Sequence, residues 1–175
     1  AYMGLAPAII GIDMGVPIKC VAGGHMEGTV MMGLKEFISL TNLKGDYSAF
    51  LRQFKGKTIG VTRKGSIHDV ILRKYISIYS SIGEITIKNY DEAEIIAYDV
   101  KIGKLAAGVG TPALLIFGQS FFNPKMLVPP NEFWPNNPSY GIVIHKGCIT
   151  HYPEKITKFL SLHTKASRIL RTDPH

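Results

Sequence analysis

The residues best suited to bind a ligand follow a short apolar segment near the middle of the chain. Ser66 and His68 come just after a β-type run, Lys57–Thr62, and a tight turn. Ser66 is a favourable N-cap, and Asp69 three residues later completes a box-like capping pattern. The first N–H groups of a helix have no partner within it and carry the positive end of its dipole. The sequence therefore predicts a site for an anion or a polar group beside these residues, Ile67 included.

The same strand–turn–helix construction is predicted at two other places. Gly4 and Ala6 lie between the end of a short strand and a helix that opens with proline. Thr111 follows a buried strand predicted over Leu105–Gly110, and it is expected to cap a helix that starts at Pro112. Ligands of open α/β sheets bind beyond the carboxyl ends of the strands. We therefore expect the three turns to meet in one polar cleft.

His25 is a further candidate for a ligand contact. It follows two glycines at the exit of a strand predicted over Pro17–Ala22. Loops on a rigid scaffold often carry binding residues. The competing interpretations are a surface histidine without a role for His25, and a second helix-capping group for His68.

Charge and composition narrow the class of partner. The 175 residues suffice for one domain or two small lobes, and 20 basic against 13 acidic residues give a net charge of +7. The basic residues are scattered rather than clustered with stacking aromatics, so we predict no nucleic-acid partner. The positive charge favours a small anionic ligand. No apolar run approaches the roughly 20 residues of a membrane helix.

The two cysteines and the histidines show no metal or cofactor pattern. Cys20 lies inside the predicted strand at residues 17–22, where a buried inert thiol is expected, and Cys148 is far away in sequence. Whether the two form a disulfide is left open. Neither CxxC nor HExxH occurs, so no metal site is predicted. No acid–base pair is visible either, so we predict no catalytic residue and no cofactor.

Alternation of strands and helices predicts a mostly parallel sheet with helices on its faces. Irregular stretches at residues 34–56 and 117–140 favour two sheets, with the chain crossing between them. Asp91 and Glu94 form a capping box for one predicted helix. The other elements that we expect are strands at residues 29–33, 84–90, 126–128 and 140–145, and helices at 46–54, 92–102 and from 153 onward.

Four segments, in order along the chain, carry a family pattern. They are MGLAPAIIGIDMGVPIKCVAGGHMEG, FKGKTIGVTRKGSIHDVILRKYI, KIGKLAAGVGTPALLIF and YGIVIHKGCITHYPEKITKFLSLHTKA. Together they resemble the substrate-binding proteins of the nitrate/sulfonate/taurine ABC transporter group, which also includes binders of thiamine-pyrimidine precursors. The resemblance covers nearly the whole chain.

The resemblance implies a periplasmic-binding-protein-like fold of type II, with two α/β lobes of mostly parallel sheet. Residues 1–54 with 146–175 would form an incomplete first lobe, and residues 55–145 the second. Members of the family normally continue before the position of Ala1 and beyond His175. We therefore expect this chain to be an internal piece of such a protein.

The resemblance also implies a function. A non-catalytic receptor would close on a sulfonate, nitrate, taurine or pyrimidine-like solute in an interlobe cleft and pass it to an ABC transporter permease. Membrane contact would come only through that permease or an upstream anchor, and the location would be periplasmic or extracellular. Gly4, Ala6, Ser66, His68 and Thr111 fall where ligand contacts tend to lie in the family. Many relatives carry an aromatic residue and a glutamate where this chain has Gly110 and Thr111, so the ligand class stays open.

Two alternatives accompany this hypothesis. One is an enzyme on the same fold, of the thiamine-pyrimidine or menaquinone biosynthesis type. The cysteine-rich iron motif of the former is absent from this sequence, whereas His25 or His68 could serve the latter. The other alternative is a truncated paralogue without an independent function.

Overall fold

Strands and helices alternate along the computed structural model of the chain, which describes residues 1–79 and 84–173. The strands are β1 (Tyr2–Gly4), β2 (Ile18–Met26), β3 (Val30–Gly33), β4 (Thr58–Thr62), β5 (Thr86–Tyr90), β6 (Ala107–Gly110), β7 (Lys125–Val128) and β8 (Pro138–His145). The helices are α1 (Leu5–Asp13), α2 (Tyr47–Arg52), α3 (Ile67–Tyr79), α4 (Ala93–Lys101), α5 (Pro112–Phe121), α6 (Pro130–Phe133), α7 (Lys146–His151) and α8 (Pro153–Thr172). The sequence also predicts that the strand–helix unit containing α3 ends at Gly83, and this residue lies outside the described ones.

The larger sheet has five strands in the order β5-β4-β6-β3-β7. Strand β4 runs parallel to β5 and β6, as helical crossovers require. Strand β3 runs antiparallel to both β6 and β7. It enters this sheet directly from β2 without a crossover helix, so the sheet is mixed where a mostly parallel one was expected.

The smaller sheet has three strands in the order β1-β8-β2, and both of its pairings are antiparallel. Strand β8 thus belongs with β1 and β2, and β3 belongs with the larger sheet. The chain crosses between the sheets at residues 27–29 and 134–137. The lobes were predicted at residues 1–54 with 146–175 and at residues 55–145. Strand pairing divides the chain at different points. The lobe ranges stay a prediction.

The hydrophobic core lies on the two faces of the larger sheet. Successive side chains of a strand point to opposite faces, and Met31 and Met32 of β3 accordingly enter two different buried clusters. Helices α2 and α3 cover one face, and α4 and α5 cover the other. This layered packing fixes the ends of β3, β4 and β6 relative to one another.

Side-chain capping explains where α2 begins but not where α4 begins. Asp46 accepts a hydrogen bond from the N–H of Ala49 at 2.9 Å, which confirms the predicted start of α2. The capping box predicted at Asp91 is wrong. Helix α4 has Glu92 as its N-cap in an extended conformation, and Asp91 pairs instead with Arg63 at 2.9 Å.

The prediction that Cys20 is buried is also wrong. Its thiol is free and exposed, as is that of Cys148. Strand β2 lies at one edge of the smaller sheet, and most of its side chains are exposed. An apolar pattern indicates that a strand is suited to burial. In the described residues, however, no other element packs over β2 and buries Cys20.

Candidate functional site

The N-terminus of α3 is capped as its sequence predicts. The N–H of Asp69 donates to Ser66 Oγ at 3.2 Å, and Asp69 Oδ2 accepts from the N–H of Gly65 at 3.0 Å. These bonds satisfy donors at the helix start. Among the described residues, the N–H groups of Ile67 and His68 make no hydrogen bond. Both groups therefore remain available to a ligand.

Asp69 is buried in a polar network behind this helix end, and only 2% of it is exposed. Its Oδ1 accepts from Arg73 Nε at 2.9 Å and from Asn89 Nδ2 at 3.0 Å. Asn89 also donates to the carbonyl of Thr62 at 2.8 Å, which ties the end of β4 to β5. Burial alone would raise the pKa of Asp69, but hydrogen bonds from Arg73, Asn89 and the Gly65 N–H hold it below its ordinary value. The carboxylate is thus charged and already fully engaged.

His68 joins α3 to the segment that crosses between the sheets. Its Nδ1 lies 2.8 Å from the Oγ1 of Thr29, which is fully buried. The His68 side chain is itself 8% exposed. Burial, and after it the nearby charge of His25, lowers the pKa of His68 to about 4. The ring is therefore neutral at physiological pH when no ligand is bound.

His25 comes from the smaller sheet and lies edge-on to the ring of Tyr140, with centroids 4.4 Å apart and planes at 75°. Two glycines make room for these rings. A Cβ on Gly24 would lie 2.0 Å from the Tyr140 ring, and one on Gly28 would lie 2.5 Å from His25 Nε2. Gly28 also has a φ of +85°, which other residues rarely adopt. A side chain at Gly24 or Gly28 would therefore clash with the ring of Tyr140 or of His25 in its present position.

Gly4 and Ala6 lie at the start of α1, beside the central strand β8 of the smaller sheet. Gly4 is the N-cap of α1 and pairs with Tyr140 in the antiparallel register. Ala6 is half-buried in the first turn. Helix α1 also packs against α3. The helices that follow the turns at Gly4 and at Ser66 are thus in contact with each other.

Thr111 lies at the carboxyl end of β6. The neighbouring Gly110 pairs with Val30, directly after Thr29, and a Cβ on it would lie 3.5 Å from Thr62 Cγ2. The turn after β6 thus lies next to the turn after β4. Thr111 is the N-cap of α5 as predicted, but its exposed side chain makes no capping hydrogen bond.

The structure therefore places the turns after β4 and β6 side by side and packs α1 against α3, and it brings His25 near His68 through Gly28 and Thr29. That the three turns form one cleft stays a prediction. Sequence reasoning missed Thr29, Thr62 and Tyr140, which fix the positions of the predicted residues. Thr62 Oγ1 lies 3.0 Å from Ser66 Oγ, four residues away, which is a local contact that the capping pattern could have suggested. Nothing in the sequence pattern singles out Thr29 or Tyr140, because both depend on pairing across the sheets.

A concave surface lies elsewhere on α3. This apolar groove of about 380 Å³ is lined by Val70, Ile71, Lys74, Tyr75, Ile78, Tyr79 and Trp134. It includes none of the predicted site residues. Across the described ranges 1–79 and 84–173, no three His, Cys, Asp or Glu side chains lie close enough to hold a metal ion. In the same residues no helix is both long enough and apolar enough to cross a bilayer.

Comparison with known proteins identifies the fold of the chain. No protein-family model matches the sequence, and no curated protein matches it either. Solved structures do match, and several of them are periplasmic binding proteins. The predicted α/β class and the predicted resemblance are thereby confirmed at the level of the fold.

Three of these structures show how far the similarity extends. The ligand-binding component of an ABC-type import system from Staphylococcus aureus matches with a TM-score of 0.78 and 17% identity, over 94% of this chain and 54% of that one. The aliphatic sulphonate-binding protein SsuA of Escherichia coli matches with a TM-score of 0.75 and 12% identity, over 99% and 56%. The nitrate-binding protein NrtA of Synechocystis matches with a TM-score of 0.77 and 12% identity, over 97% and 46%. The chain thus spans about half the length of the proteins whose fold it shares.

Proposed function

We propose that this chain forms part of the substrate-binding component of an ABC transporter, and that it contributes to a non-catalytic site for a small anion or polar molecule. One observation carries the proposal. The imidazole of His25, from the smaller sheet, lies against Gly28, and the next residue, Thr29, is hydrogen-bonded to His68 at the start of α3, where the N–H groups of Ile67 and His68 have no partner among the described residues. A solute held there would contact both sheets at once.

The chemistry of the site supports a ligand that accepts hydrogen bonds. Its groups are backbone N–H donors, the hydroxyls of Ser66 and Thr111, and two imidazoles. The nearest carboxylate, Asp69, is saturated by its own partners. Sulfonates, nitrate, taurine and pyrimidine-like molecules all present acceptors to such donors, and two of the structural relatives are named for sulphonate and nitrate binding.

The two crossing segments support closure around the solute. The N–H of Glu27 donates to the carbonyl of Asn137 at 2.6 Å, and Glu27 Oε1 accepts from the N–H of Asn136 at 3.2 Å. Glu27 and Asn136 both have a positive φ, at 64° and 59°. The segments thus run side by side between the sheets, as a hinge in a two-lobed receptor would. A permease partner and a periplasmic or extracellular location follow from the same proposal.

A thermal-shift panel tests the function. The chain would be heated with nitrate, taurine, alkanesulfonates and thiamine-precursor pyrimidines in separate samples. A solute present at about 100 times its dissociation constant stabilises the folded state by roughly 2.7 kcal/mol. For a chain of this size that corresponds to roughly 5–10 °C in melting temperature.

Variants connect any shift to the proposed site. We expect Ser66→Ala to abolish the shift, and Ser161→Ala, at an exposed position of α8, to retain it. A shift that survives in both variants would place the solute elsewhere. Absence of a shift with every solute in the panel would contradict the proposed function.

A further inference from the structure

We propose that the apolar groove on α3 is a second binding site, and that its ligand is a planar aromatic molecule with one anionic group. The groove shares no residue with the candidate site at the start of α3. Binding in the groove is therefore independent of the proposed function. Its walls consist of aromatic rings, aliphatic side chains and one cation.

One wall of the groove belongs to a stack of three tyrosines. Tyr75 and Tyr79 of α3 stack with Tyr47 of α2, with the three ring planes within 17° of one another and centroids 4.2, 5.2 and 5.8 Å apart. The Tyr47 hydroxyl donates to the carbonyl of Glu132, which holds the stack in place. Tyr79 nevertheless remains 40% exposed. Because aromatic rings prefer offset stacking on one another, this wall favours a further flat ring.

Trp134 adds a second aromatic surface to the groove. It follows Phe133, which is buried and contacts the Tyr75 ring with centroids 5.8 Å apart. The Trp134 side chain is itself 46% exposed, and Val70 and Ile78 are 42% and 53% exposed. Single exposed apolar side chains are ordinary on a protein surface, but several around one concavity mark a binding site. The volume of about 380 Å³ falls within the range of small-molecule sites, roughly 300–1,000 Å³.

The charge at the groove determines the charge of its ligand. Of the lining residues only Lys74 is charged, and within residues 1–79 and 84–173 it forms no ion pair. Glu132, two positions before Trp134, is not a lining residue, and its Oε1 accepts from the hydroxyl of Thr41. An unpaired ammonium group repels a cationic ligand and attracts an anionic one. The groove therefore fits an aromatic body against the tyrosine stack and an anionic group at Lys74.

Titration of the full chain with three matched probes tests this inference. The probes are phenylacetate, its uncharged counterpart phenylethanol, and its non-aromatic counterpart cyclohexylacetate. Trp134 is the single tryptophan of the chain, so its fluorescence reports directly on the groove. We expect phenylacetate to change that emission saturably. In calorimetry it should bind about tenfold more tightly than either of the other two probes.

Substitutions assign the binding to the groove. Tyr79→Leu removes the ring and should weaken phenylacetate binding about tenfold, to the level of cyclohexylacetate. Lys74→Gln should make phenylacetate and phenylethanol bind equally, whereas Lys74→Arg should keep the preference for the acid. Matched controls come from α8, where Lys155 Nζ lies 4.9 Å from the ring centroid of the exposed Tyr152. Lys155→Gln and Tyr152→Leu should leave the binding of all three probes unchanged.

Several results would overturn the inference. They are the absence of phenylacetate binding at millimolar concentrations, equal binding of cyclohexylacetate or phenylethanol, and binding that persists in both Tyr79→Leu and Lys74→Gln. If the Trp134 emission changes with protein concentration alone, and sedimentation shows dimers, a second copy of the chain occupies the groove and the small-molecule assignment is wrong. Each of these results leaves the proposed function intact, because that function depends on other residues.

Discussion

The two sheets of this molecule are packed in very different ways. Every residue of β3 and of β6 in the larger sheet is buried, and helices cover both faces. In the smaller sheet only the central strand β8 has a buried run, and α8 has no buried residue at all. Met26 of β2 and Leu170 of α8 are 64% and 70% exposed.

The two sheets therefore differ in what they contribute to stability and to the candidate site. Burial of apolar area is the main favourable term in folding, so the larger sheet should supply most of the stability. The smaller sheet contributes His25, Tyr140 and the start of α1 to the candidate site while burying little. Predictions that contrast matched positions in the two halves can test this division directly.

The largest contrast concerns aromatic side chains. Phe54 is fully buried and stacks on Phe37 with ring centroids 4.8 Å apart. Phe54→Ala should lower the free energy of unfolding by about 3–5 kcal/mol because it leaves a cavity. The matched change Phe159→Ala, at a position 41% exposed in α8, should cost less than about 1 kcal/mol. Urea denaturation of both variants measures the two changes in the free energy of unfolding. Equal changes would contradict the view that the larger sheet supplies most of the stability.

The next effect concerns the buried carboxylate of the larger sheet. Asp69→Asn should lower the free energy of unfolding by about 2–3 kcal/mol at pH 7, because Arg73 and Asn89 lose a charged acceptor. The folded-state pKa of Asp69 is depressed, so its stabilisation is present above the ordinary value of 3.8 and is lost as the pH falls through the folded-state pKa.

Denaturation of both proteins at pH 7 and at pH 3 measures that dependence. The difference between Asp69→Asn and the unmodified chain should therefore shrink on acidification below about pH 3.8. Asp99, whose pKa is also depressed, is present in both proteins and cancels in the comparison. A difference that stays constant with pH would show that the carboxylate charge contributes nothing.

The smallest expected effect is a difference in stability between substitutions at two hydroxyl-bearing helix N-caps, Ser66 and Thr111. Ser66 accepts a capping hydrogen bond from Asp69 N–H, whereas Thr111 makes no capping bond with its side chain. Ser66→Ala should therefore cost about 1 kcal/mol. Thr111→Ala should change stability by less than about 0.5 kcal/mol. The shift of the urea midpoint gives both numbers, and a reversed order would contradict the capping geometry.

Local signals allowed much of the fold to be predicted. The strands and helices around Ser66, the start of α2 at Asp46 and the cap position of Thr111 follow from short-range patterns, and the structure confirms them. What failed depends on distant pairing. Cys20 was expected to be buried because its strand is apolar, but an edge strand is buried only if another element covers it.

The candidate site was partly predictable for the same reason. Helix starts can be recognised from a few neighbouring residues, so three turns could be located in the sequence. That His25 lies near His68 depends on how two sheets are joined, which no local pattern encodes. The role of Thr29 was missed because its contact with His68 spans 39 positions in sequence.

The hydrogen bond between Thr29 and His68 has a mechanical consequence. Thr29 lies in one of the two segments that join the sheets, and His68 is fixed to the larger sheet through α3. A rotation of one sheet against the other that bends residues 27–29 must stretch or turn this buried bond. The orientation of the His68 imidazole is therefore coupled to the angle between the two sheets.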